Sequence, residues 1–333
     1  MRKIILVLMI FVIYDISYCV DSPLNDSYYL GEVPDSAAIG RGGAYVGVAG
    51  SPFSPYWNPA GIVSLKKNTI GFSLNLFGKS DIDSSILKKT YPLEGRKLNF
   101  ISVCGPQVAM YWRPLSEKVD ISTGTINGQA YERTIDVKSS VYGLTVAVPH
   151  AEKVDFGMNI NLITGMLGYL YKDAQDTELI LSDGLGWGLD WGLIYKLTPD
   201  MNIGVSVTNL PAQIYWEDFD KEVLPTVFRA GFDLQLNQLM SFAMDYENAE
   251  YDDSVDDNDM IHVGMEHYIR SNFLVRAGMY ARDFNDSKNA VYTAGLGYSS
   301  DLYQVDIAVR QYYIDENDSE LLQRVSASAG LMF

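Results

Sequence analysis

The sequence predicts an all-β protein, a transmembrane outer-membrane β-barrel of about 14 antiparallel strands closed around an N-terminal hatch or plug segment. Three observations carry this expectation. Hydrophobicity alternates with a period of two from residue 69 to the C-terminus, the connections alternate between short turns and long polar loops, and an apolar leader precedes a glycine-rich stretch with no regular pattern.

The leader comes first. In MRKIILVLMIFVIYDISYC, residues 1–19, Arg2 and Lys3 precede an apolar run from Ile4 to Tyr14, and the segment ends on Ser17, Tyr18 and Cys19. That is the layout of a secretory signal peptide, and it is too short to span a bilayer as a helix, which needs about 20 apolar residues. Cys19 has an alternative reading as a lipidated residue, against which the bulk of Tyr18 counts. Cleavage after Cys19 leaves Cys104 unpaired, so an exported chain of this kind needs something other than disulfides to hold it, and a closed hydrogen-bond ladder is one candidate.

Residues 20–68 form the expected hatch. A barrel of about 14 strands is too wide for its own side chains to fill, since about eight strands is the size that they can pack. Tyr28, Tyr29, Tyr45, Phe53, Tyr56 and Trp57 supply apolar groups for the interior, while Pro52, Pro55 and Pro59 restrict the path of the backbone.

Residues 69–333 carry the barrel. Strands are expected at 69–78, 97–104, 107–118, 131–148, 153–169, 185–197, 201–210, 225–236, 239–248, 259–269, 272–282, 289–299, 303–313 and 321–333, an even count as single-chain barrels require. The clearest is LGWGLDWGLIYKL, in which Leu185, Trp187, Leu189, Trp191, Leu193 and Tyr195 share one face. A sandwich would hide such a face and a membrane barrel would show it to lipid. The connections separate these cases. Short turns at Gly105-Pro106, 149–152, 198–200, Asn237-Gln238, Arg270-Ser271 and 300–301 alternate with long polar loops at 79–96, 170–184, 211–224, 249–258, 283–288 and 314–320. Sorting by rim in this way matches short periplasmic turns and longer extracellular loops.

The chain ends in RVSASAGLMF, with Val325, Ala327, Ala329, Leu331 and Phe333 on one face. A terminal aromatic after alternating apolar residues resembles the signal read by the outer-membrane assembly machinery. Asp155, Asp190, Lys196, Arg229, Asp233, Asp245, Glu266, Arg276, Asp306, Arg310 and Arg324 lie opposite the apolar stripes. There they avoid the penalty of up to about 2–4 kcal/mol for a charge at the lipid-facing midplane. Both signs occur, so Asp190, Arg229, Asp245, Glu266, Arg276 and Arg310 are expected to form a lumenal charge network.

GRGGAYVGVAGSPFSPYWNPAGI resembles the N-terminal signature of the FadL-like barrels, those related to the long-chain fatty acid transporter, and of the PorV/PorQ family. Trp57, Asn58, Pro59, Ala60 and Gly61 match the hatch motif. DWGLIYKLTPDMNIGVSVTNLP, at 190–211, is similar to the middle of the PorV-like proteins, as are the Arg-Ala-Gly strands at Arg229 and Arg276. The resemblance implies a plugged barrel in the bacterial outer membrane. Its function is then transport of hydrophobic, fatty-acid-like molecules gated by the hatch; the alternative is a component of a protein secretion or surface-attachment system. An apolar cluster inside the lumen would favour transport, and a wholly polar lumen the alternative.

Expected partners are outer-membrane lipid, the assembly machinery, and a hydrophobic ligand or secretion-system subunits. The net charge of -17 argues against nucleic acid, which needs a basic face. No enzyme activity, cofactor or metal is expected. His262 and His267 are five apart and fall on opposite faces of a strand, His150 stands at a turn, and no nucleophile elbow, P-loop or dinucleotide fingerprint occurs. The six carboxylates between Glu250 and Asp259 read as a solvated loop, because they lack the spaced ligands and glycine of a calcium loop.

Overall fold

A computed structural model describes Leu24 and residues 33–77, 98–126, 128–250, 258–282, 290–313 and 321–333. The leader and the acidic loop lie outside the described residues. Fourteen long strands run antiparallel in chain order: β1 (Thr69–Phe77), β2 (Leu98–Cys104), β3 (Val108–Ile126), β4 (Gln129–Ala151), β5 (Val154–Lys172), β6 (Thr177–Thr198), β7 (Met201–Thr208), β10 (Thr226–Asn237), β11 (Met240–Glu250), β12 (Asn258–Tyr268), β13 (Phe273–Ala281), β14 (Ala290–Ser299), β15 (Tyr303–Tyr313) and β16 (Leu321–Met332). β1 pairs with β16 from Thr69↔Met332 onward and β5 pairs with β6, so the fourteen long strands close into a barrel. Two short strands, β8 (Ala212–Trp216) and β9 (Glu222–Val223), complete the set.

Side-chain alternation becomes an inside and an outside. Leu185, Trp187, Leu193, Leu296, Ile307 and Leu331 are exposed on the outer surface, where only lipid can cover them. Their sequence neighbours Asp190, Ser326, Ser328 and Asp306 are buried in the lumen. A closed ladder with an apolar exterior places this chain in a bacterial outer membrane.

Two expected loops are corrected. Residues 170–184 are not a loop: β5 continues to Lys172 and β6 starts at Thr177, with ladder pairs from Asp155↔Ile194 out to Lys172↔Thr177. β3 to β6 are 19, 23, 19 and 22 residues long, about twice the roughly 9–11 that a bilayer requires, so the four strands project beyond it. Beyond the membrane nothing demands an apolar outer face, and a polar strand then reads as a loop. Residues 211–224 hold β8 and β9. β8 takes over from β7 as the partner of β6, with Gly184↔Trp216 and Gly186↔Ile214. Ile214, Trp216, Phe219 and Leu224 pack inward against Leu115, Ile135, Val137, Ile163 and Leu167, an apolar core that fills part of the lumen toward the long-loop rim.

Residues 33–68 sit inside the barrel. Asp35 caps α1 (Ser36–Gly40) by accepting from Ala37 N at 2.9 Å, α2 (Ser54–Trp57) follows with Pro55 in its first turn, and a 3-10 turn (Pro59–Ser64) leads through Leu65 into β1. Phe53 packs on Phe100 with ring centroids 5.4 Å apart, Phe100 stacks on Tyr111, and Tyr45 meets Trp57 at 5.8 Å.

Candidate functional site

The lumen receives the plug on glycines of the wall. Gly264 and Gly278 face each other across β12 and β13, and a Cβ on either would collide with the backbone of Arg41 or Gly42. Gly157 and Gly192 pair across β5 and β6, Gly157 against the backbone of Pro59 and Ala60 and Gly192 against the side chains of Asn58 and Pro59. Only a hydrogen lets two backbones approach this closely. These strand glycines were not singled out from sequence. Their signal is a small residue at an inward position of neighbouring strands, which becomes visible only once the register is known.

Polar contacts fix the plug. Asn58 is wholly buried; its amide donates to Val46 O at 2.9 Å within the plug and to Leu193 O and Val205 O of the wall at 3.0 and 3.3 Å, and its oxygen accepts from Ala60 N at 3.1 Å. Pro59, Ala60 and Gly61 are buried in the turn that follows, and Gly61 N donates to Asn58 O. Trp57 is buried between Tyr45 and Tyr56.

The inward charges make ion pairs and hydrogen bonds, several of which address the plug. Asp245 accepts from the backbone amides of Tyr45 and Val46, so a carboxylate of the wall holds the plug backbone directly. Asp190 binds the amides of Asn159 and Asn161 and accepts from Asn209 N, while Asn159 also donates to Pro55 O. Arg229 pairs with Glu247 and stacks over Tyr56 and Trp57 at 5.7 and 5.8 Å. Arg276 bridges Glu266 and Asp306, both at 2.6 Å. Arg310 lines the cavity described below. Barrel closure, which brings residues some 190 positions apart together, also pairs Arg41 of the plug with Asp233 of β10. Asp155 holds Lys196 at 2.7 Å. Burial pushes the carboxyl of Asp35 up to about 7. His262 lies in the lumen with Nδ1 2.7 Å from Gly42 O. Phe333 is exposed on the outer surface and donates its backbone N–H to Asn68 O.

On the long-loop side of the plug these groups enclose a cavity of about 290 Å³. Val33, Ile39, Leu115, Val227, Ala249 and Met260 give it apolar walls, and Arg113, Arg229 and Arg310 stand with Glu247 around them. An apolar pocket with a few convergent polar groups is the usual form of a small-molecule site.

Fold and site together define a class: a 14-strand barrel whose lumen is occupied by its own N-terminal segment and holds an apolar cavity. No protein-family model and no curated protein matches the chain. Among solved structures, it is similar to the Pseudomonas putida toluene transporter TodX (14% identity, TM-score 0.59), the Ralstonia pickettii toluene transporter TbuX (14%, 0.57) and a Pseudomonas aeruginosa FadL homologue (12%, 0.58). Each match covers 92% of this chain and 99% of the other. At such identities the likeness shows the fold, which is that of the FadL-type barrels.

Proposed function

We propose that the chain is an outer-membrane channel for hydrophobic small molecules, fatty-acid-like in having an apolar body and a polar end, with residues 33–68 as its gate. The apolar cavity on the long-loop side of the plug carries this reading. Its aliphatic walls suit the body of such a molecule, and Arg113, Arg229 and Arg310 suit the polar end. An apolar space inside the lumen favours this reading over a barrel that serves only as a partner in secretion, for which a wholly polar lumen is expected. The barrels that share the fold include two named as toluene transporters, which supports transport over an enzymatic role.

The test removes residues 20–60 behind an intact signal peptide and compares single-channel conductance in planar bilayers with the full-length protein. The truncated barrel should assemble and conduct more, because its ladder does not depend on the plug. A truncated barrel that assembles and conducts no more than the full-length protein would rule out the gate. Failure of the full-length protein to speed entry of any hydrophobic solute would rule out the channel.

A further inference from the structure

The β5–β6 hairpin ends in a sheet edge that has no strand partner among the described residues. β6 pairs with β5 from Val154↔Tyr195 to Lys172↔Thr177 without a bulge. Its other edge is taken by β7 between Thr198 and Trp191 and by β8 between Gly188 and Gly184. The last backbone bond on that side runs from Glu217 N to Asp183 O at 3.0 Å, and beyond it residues 177–182 pair with β5 alone. Leu189 N donates to Pro211 O on the same side, whereas Lys196 N donates to Lys153 O on the β5 side. Backbone groups alternate along a strand, so the odd-numbered residues address the open side. The N–H and C=O groups of Leu179 and Leu181 therefore point away from β5, toward the open edge.

Proteins guard such edges with lysine, proline, a bulge or a cover. TELILSD, residues 177–183, has neither lysine nor proline. Counted from Thr198, the roughly 9–11 residues that cross a bilayer end before Leu181 is reached. Lipid therefore does not account for Leu179 and Leu181, each 54% exposed on the outer face. The edge is also held in place. Tyr169 and Ile180 pack on the apolar core of the upper lumen, Tyr169 meets Phe219 with ring centroids 6.3 Å apart, and Asp218 N donates to Ser182 Oγ. Exposed carboxylates surround it: Asp176, Glu178 and Asp183 along the hairpin, and Glu217, Asp218 and Asp220 beside its lower end, against Lys172 and Lys221.

We infer that this edge is a docking site for an extended, basic segment of another protein, which adds to the sheet as a strand beside β6. The open backbone groups supply the hydrogen bonds, apolar side chains of the segment cover Leu179 and Leu181, and its lysines or arginines meet the carboxylates. A second copy of this chain would bring the same carboxylates against themselves, and lipopolysaccharide carries phosphates that they repel. The site lies outside the lumen and stands independently of transport.

The experiment uses the folded full-length barrel in detergent and, as probe, a fluorescent peptide of alternating valine and lysine. Anisotropy measures binding, and hydrogen exchange locates it. The peptide should bind and slow exchange of the amides of Leu179 and Leu181. Its fully N-methylated form keeps the charge and the apolar side chains but donates no backbone hydrogen bond, and should bind at least about tenfold more weakly. Leu181→Pro removes one N–H of the open edge and no bond to β5, so mobility on unheated gels should match wild type while peptide affinity falls about tenfold. Glu178→Gln combined with Asp183→Asn should weaken binding several-fold at low salt and less at high salt. Absence of binding would overturn the strand site, as would equal binding of the N-methylated peptide or unchanged affinity in Leu181→Pro. Slowed exchange at Leu179 and Leu181 on reconstitution with lipopolysaccharide alone would make the edge a lipid contact and overturn it too.

Discussion

Replacing Asn58 by leucine should loosen the plug and leave the barrel intact. The side chain is wholly buried and nearly the same size as leucine, so the change removes hydrogen bonds with little change in volume. Within the plug, Val46 O loses the donor at 2.9 Å and Ala60 N loses the acceptor at 3.1 Å. Each orphaned group costs roughly 1–3 kcal/mol, and burying the leucine offsets part of the sum, which leaves about 2–4 kcal/mol. The docking equilibrium of the plug then shifts toward the open form by roughly 30- to 1,000-fold. Hydrogen exchange read by mass spectrometry is the assay: amides of residues 45–61 should exchange faster by about that factor, while those of the β13–β14 and β14–β15 ladders keep their wild-type protection. In planar bilayers the variant should open more often at unchanged unit conductance. Exchange within threefold of wild type at 45–61 would refute the reasoning, because it would mean that the glycine contacts hold the plug without Asn58.

Further outcomes can be checked separately. The protein should fractionate with outer membranes and run faster on unheated gels than on heated ones, since a closed ladder resists detergent; recovery from the soluble periplasm would end the barrel reading. Deleting Phe333 should lower the assembled yield several-fold and Met332→Ala should not, because Phe333 stands on the outer face whereas Met332 lines a lumenal cavity at the short-turn rim; membrane yields of the two variants decide it. Plug docking should weaken as pH rises from 4 to 7 and change little above that. The docked state holds the proton on Asp35 up to about 7, whereas a free aspartate releases it near 3.8, so the share of docking tied to that proton is fully present below 3.8, falls between the two values and is gone above 7. Channel-open probability across that range should rise in the wild type and respond less in Asp35→Asn, and identical pH responses would dismiss the assignment.

Much of the barrel was legible in the chain because a membrane imposes a local rule. Lipid on one side and the lumen on the other force alternate residues apart, so Leu185 and Trp187 against Asp190, or Leu331 against Ser328, can be sorted without knowing any strand's neighbour. The rule stops where the lipid stops. For that reason β5 and β6 read as a loop between 170 and 184, and β8 and β9 could not be foreseen. The plug motif around Asn58 was visible as a dense run of glycine, proline and aromatic residues, but its partners were not. Arg41 meets Asp233, Asp245 meets the amides of Tyr45 and Val46, and Gly264 and Gly278 admit the backbone of Arg41 and Gly42 only because closure and register set those strands side by side at one depth. Which face a residue takes is decided by its immediate neighbours in the chain and the solvent that each face meets. Which residue it touches across the lumen is decided by the strand count and stagger of a closed sheet, a property of all fourteen strands together that no single stretch of sequence contains.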